Sequence, residues 1–151
     1  MVRCFVMSTW VLLRGLSREA RHWGDFPERL ASRLDDARLV AIDLQGNGAL
    51  CTQKSPLRLA ALTDAARGQA AAQCVAPPYH LLALSLGAMV AVDWAVRRPD
   101  EIAGAVLINT SLRGASPLHH RLRPSSYARL LRLVLSADDV ERERAILALT
   151  S

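Results

Sequence analysis

Tyr79-His80-Leu81-Leu82-Ala83-Leu84-Ser85-Leu86-Gly87 is the stretch that decides the fold. Six mostly apolar residues run up to a serine. Directly after it, Gly87 to Arg98 is strongly apolar and helical in pattern, until Pro99 stops it. A short apolar run of this kind suits a strand buried on both faces of a parallel sheet. Ser85 then sits on a sharp strand-to-helix turn. Strand and helix approach each other closely there, so the residues two before and two after the serine must be small. Ala83 and Gly87 meet that requirement, and Ala88 and Ala91 keep the helix near the sheet. Two roles are open to Ser85. It caps the helix, a common serine task, or its hydroxyl projects from the sheet's carboxyl edge as a nucleophile, with the next amide facing developing negative charge.

The same alternation continues on both sides. Trp10-Val11-Leu12-Leu13 reads as a strand that ends at Arg14-Gly15. Asp25-Phe26-Pro27 opens a helix, with Asp25 as its cap and Phe26, Leu30 and Leu34 at helical spacing. Arg38 to Asp43 is a second strand, stopped by Gly46-Asn47-Gly48. Leu57 to Ala72 is a helix packing through Leu59, Leu62, Ala66 and Ala70, broken by Pro77-Pro78. Ile102 to Ile108 is the fourth strand. Strands alternating with helices predict an α/β fold, a parallel sheet with helices on both faces. After Ser111 the character changes. Pro117 and Pro124 punctuate it, and Ala128, Leu131, Leu135, Val140 and Leu147 suggest two helices, the second capped by Asp138 or Asp139.

Composition narrows the function classes. The chain has 151 residues, 51% hydrophobic and 22% charged, enough for a real core and too apolar for intrinsic disorder. No apolar run reaches the roughly 18–20 residues of a membrane span. The net charge of +5 comes from scattered arginines interleaved with Asp and Glu, with Lys54 the single lysine. That pattern fits solvated helix faces rather than a nucleic-acid footprint, even in the densest stretch, Arg121, Arg123, Arg129 and Arg132. Cys4, Cys51 and Cys74 make no metal spacing and an odd count, which suits a reducing cytoplasm. No phosphate loop or dinucleotide fingerprint appears, and His119-His120 alone does not make a metal site. No cofactor or metal is therefore expected.

Four motifs in order resemble the alpha/beta-hydrolase superfamily. Ala83-Leu84-Ser85-Leu86-Gly87 resembles its G-x-S-x-G nucleophile elbow, with Ala83 for the first glycine. Leu12-Leu13-Arg14-Gly15-Leu16, followed by Trp23 and Phe26, resembles its apolar strand, His-Gly and H-W...F segment. Asp43-Leu44-Gln45-Gly46-Asn47-Gly48 is similar to its D-x-P-G-x-G turn. Arg98-Pro99-Asp100-Glu101-Ile102 resembles its R-x-P-x-x-V segment. The resemblance covers about residues 10 to 112. It implies a serine hydrolase acting on a small-molecule ester or related acyl bond. Ser85 would be the nucleophile, the Leu86 and Leu16 amides the oxyanion donors, and Gly15 the residue that lets the loop bend close.

Arg14 stands where the family often has His, which alters pocket polarity; Gln45 and Asn47 replace Pro and His. The superfamily's acid and histidine follow the serine. Here His119 and His120 are the histidines after Ser85, while His22 and His80 precede it. Asp93 and Asp100 are the few carboxylate candidates, and the slot after the fourth strand reads Asn109-Thr110-Ser111. The expected division is a partial core over residues 1–115 and the start of a helical lid over 116–151. The alternative to an active esterase is an inactive fragment, or a non-catalytic hydrolase-like protein that lacks the acid and base.

Overall fold

The computed structural model describes residues 7–73 and 76–110. They belong to one compact unit, residues 1–110. The expected lid helices, Asp138, Asp139, His119, His120, Cys4 and Cys74 lie outside the described residues. The strands are β1 (Ser8–Leu13), β2 (Ala37–Ile42), β3 (Tyr79–Leu84) and β4 (Ile102–Ile108), and the helices are α1 (Phe26–Ala31), α2 (Leu59–Ala72) and α3 (Leu86–Arg97). Every strand pair is parallel, and the order across the sheet is β2-β1-β3-β4.

The apolar runs become strands because both their faces are covered. Val11, Leu13, Val40, Ile42, Leu81 and Ala83 pack in one cluster with Leu62, Ala66 and Ala70 of α2 and Ala88, Val90, Ala91 and Trp94 of α3. Small residues on both helices allow that close approach. Leu12, Leu82 and Trp23 form the opposite cluster, flanked by Trp10, Leu30, Leu39, Ala41 and Leu84. On that side His80 stacks on Trp10, with ring centroids 4.9 Å apart. The described part of β4 leaves Val106, Leu107 and Ile108 exposed.

Two expectations are corrected. The helix opened by Asp25 ends at Ala31, short of Leu34, and buries none of its residues. The Asp25 side chain makes no cap hydrogen bond; its carboxylate lies 3.9 Å from Arg29 instead. A helix of six residues, resting on partly buried Leu30 and the Phe26 ring against Trp23, gains too little packing to run further.

The topology places the site. The chain leaves β1 for β2 on one side, then crosses back to β3 on the other. Loops leaving the carboxyl ends of β1 and β3 therefore diverge, and open α/β sheets bind ligands in the crevice at such a switch point. Arg14-Gly15 follows β1, and Ser85 follows β3.

Candidate functional site

Ser85 joins β3 to α3 with φ 50° and ψ −113°, a conformation that L side chains rarely adopt. The turn is held from both directions. The Ser85 amide donates to the Ile108 carbonyl at 2.9 Å, and its carbonyl accepts from the Met89 amide at 3.1 Å. Ser85 is exposed, and its side chain makes no cap hydrogen bond to α3.

The small-residue requirement is visible in distances. A β-carbon built on Gly87 would lie 2.7 Å from the Leu13 carbonyl oxygen, so only glycine lets α3 start this close to β1. One built on Gly15 would lie 3.2 Å from Ser85 Cβ and 3.7 Å from its Oγ. The loop after β1 thus runs directly against the serine. It then turns, with the Arg18 amide donating to the Gly15 carbonyl at 3.2 Å and Ser17 at φ 57°. Leu16 is 53% exposed on this turn. Leu86 opens α3, where the first amides have no carbonyl partner within the helix. The structure brings Ser85 and Gly15 into contact and sets Leu16 and Leu86 one residue beyond each.

Asp43 ties the surrounding loops together, a role the sequence did not single out. Its Oδ1 accepts from the Ala20 amide at 2.6 Å and its Oδ2 from the Ala49 amide at 2.9 Å. The loops after β1 and β2 are therefore pinned to one carboxylate. Gly48, at φ 53°, lies so close that a β-carbon there would overlap the Asp43 carboxylate. The sequence signal was the Asp43-x-x-Gly46-x-Gly48 spacing itself, whose last glycine is required by packing against the aspartate.

Arg14 lies over the Trp23 ring, its guanidinium carbon 4.9 Å from the ring centroid, and Trp23 stacks on Phe26 at 5.4 Å. Arg14 Nε and Trp23 Nε1 are both buried without an acceptor. Burial, then the nearby Arg18 charge, lowers the Arg14 pKa from its ordinary value.

The candidate bases before Ser85 are engaged elsewhere. His22 Nδ1 accepts from the Glu19 amide at 3.0 Å, and His80 is stacked inside β3. Asp93 pairs with Arg97 at 3.3 Å, and Asp100 with Arg98 at 3.2 Å. Among the described residues none is hydrogen-bonded to Ser85 Oγ. Also among them, no group of three or more His, Cys, Asp or Glu residues could hold a metal ion, and no helix is long and apolar enough to cross a membrane.

The fold is shared with solved structures. A hydrolase from Pseudomonas aeruginosa superposes with a TM-score of 0.67 at 24% identity, over 93% of this chain and 49% of that one. Cfl2 from Burkholderia cenocepacia gives 0.64 at 26% identity, over 89% and 45%. Est816, described as an N-acyl homoserine lactone degrading enzyme, gives 0.63 at 17% identity, over 82% and 45%. The chain spans about half the length of these structures. No curated protein sequence matches it. The sequence pattern of the alpha/beta hydrolase family matches residues 10–149. With the parallel sheet, the elbow serine and the glycine-lined approach of β1 all in place, this chain belongs to the alpha/beta hydrolase family.

Proposed function

We propose that the protein is a serine hydrolase that cleaves carboxylic esters or related acyl bonds through Ser85. One observation carries this: Ser85 is held at φ 50° on the strand-to-helix turn, exposed and free of any capping bond. Strain at a position over-determined by its surroundings is a mark of function. Ser85 Oγ attacks the carbonyl carbon as a base takes its proton. The Leu86 and Leu16 amides donate to the oxyanion of the tetrahedral intermediate. Collapse breaks the bond to the leaving alcohol, which receives the proton, and leaves an acyl-serine. Water then attacks that carbonyl, gives its proton to the base, and releases the acid while Oγ is reprotonated.

Among the described residues no base is hydrogen-bonded to Ser85 Oγ. That observation favours a second reading, a hydrolase-like chain that binds but does not turn over. Treatment with an alkyl fluorophosphonate separates the two. The first reading expects one phosphonyl adduct per chain, absent in Ser85→Ala. A folded chain that takes up no adduct supports the second.

A further inference from the structure

Arg21, Arg29, Arg67, Arg97 and Arg98 pair with carboxylates, whereas Arg14, next in the chain to the Gly15 that faces Ser85, lies on an indole. Its backbone carries the close approach to α3, and the next residue, Gly15, touches Ser85. Its side chain lies on an indole, and the Arg18 charge acts on it unfavourably. Among the described residues no carboxylate accepts from it. The indole beneath is 8% exposed and also holds a donor without an acceptor. Two neighbouring buried donors left open are costly, because each gives up water and gains nothing in return. A ligand carrying negative charge would supply the missing acceptors, and the planar fork of a guanidinium suits a carboxylate.

We propose that Arg14 and Trp23 form a carboxylate-recognition subsite beside Ser85, so that the preferred substrates are anionic acyl compounds, such as hemiesters of short dicarboxylic acids. This rests on Ser85 being the nucleophile of an acyl-transfer site. Arg14 sits at the end of β1, where backbone packing against α3 fixes its position before substrate arrives. Held on the ring of Trp23, the guanidinium loses little freedom on binding. It contributes recognition, while the chemistry stays at Ser85.

The test compares 4-nitrophenyl hemiglutarate with 4-nitrophenyl pentanoate on the full chain. The expected result is a wild-type kcat/KM that favours the hemiglutarate, with the ratio of the two falling about tenfold in Arg14→Gln, mainly through KM, as loss of a charge-assisted hydrogen bond requires. Arg14→Lys should regain part of the preference, and Trp23→Phe, which keeps the ring but removes the N–H, should lower it severalfold. In wild type the preference should shrink as salt rises. Equal ratios in wild type and Arg14→Gln would overturn the proposal. Should Arg14→Gln fail to fold, an unchanged ratio in Trp23→Phe together with a salt-independent ratio in wild type overturns it. If neither ester is cleaved, the nucleophile assignment fails, and calorimetry with glutarate still decides the subsite. Saturable binding to wild type that weakens about tenfold in Arg14→Gln supports it; no binding, or binding indifferent to the substitution, ends it.

Discussion

Two groups of arginines in this unit are treated in opposite ways. On the α2–α3 side, Arg67 donates to Glu101 through two nitrogens, at 2.9 and 2.6 Å, and Trp94 Nε1 donates to the same carboxylate at 2.8 Å. Arg98 reaches it as well, at 3.1 Å, and Arg97 bridges Asp64 and Asp93 at 2.9 and 3.3 Å. Around β1's carboxyl end, Arg14 has an indole and, among the described residues, no carboxylate partner. Charge pairs that serve the fold are saturated within it. A charge left open beside a strained serine is available to something else. The first group accounts for Arg67, Arg97 and Arg98 as part of the fold.

Breaking the saturated side should cost the most. Trp94 is fully buried, meets Tyr79 edge-on at 5.5 Å, and anchors Glu101. Trp94→Ala should lower stability by about 3–5 kcal/mol, read from the urea midpoint. Gly87→Ala comes next, at about 1–3 kcal/mol, because the new methyl meets Leu13 backbone that cannot swing away. Its measurable signature is a lower midpoint together with slower phosphonate labelling of Ser85. Glu101→Gln should cost about 1–3 kcal/mol by weakening the bidentate Arg67 pair.

Glu101 also sets a pH dependence. The Arg67 hydrogen bonds, against the opposing cost of burial, hold its carboxyl down to about 2, from an ordinary value of 4.5. A depressed folded value means that the stabilisation is fully present above pH 4.5 and is lost as pH falls toward 2. Stability followed between those limits should decline in wild type and decline less steeply in Glu101→Gln. The smallest effect on folding is expected at the open charge. Arg14→Gln should move stability by no more than about 1 kcal/mol, since the stacking on Trp23 is lost but no ion pair with a described residue. A loss of several kcal/mol would show that Arg14 is a structural cation after all, and the contrast between the two groups would collapse.

The strands were legible because parallel strands read as continuous apolar runs, and β3 and the more exposed β4 both match the expected spans residue for residue. The α1 terminus was not, because helical spacing at Leu34 says nothing about whether a partner surface exists there. At the site, Ser85 and the small residues Ala83, Gly15 and Gly87 could be read from the strand-to-helix turn and the family resemblance. The conformation of Ser85 and its missing capping bond needed coordinates, since a capping serine and an elbow serine share one local pattern. Asp43, Glu101 and the Arg14–Trp23 contact were hidden for another reason. Each joins residues from separate segments, as with Asp43 to Ala20 and Glu101 to Arg67, and pairwise geometry of that range leaves no periodic mark.

The central claim is that Ser85 is a nucleophile presented by the fold. Its most direct measurement is mass mapping of the chain after brief exposure to a 4-nitrophenyl ester, quenched in acid. A single acyl group is expected on the peptide containing Ser85, formed in step with a burst of nitrophenol and absent in Ser85→Ala. An acyl group placed elsewhere, or adduct formation that Ser85→Ala leaves intact, would contradict it.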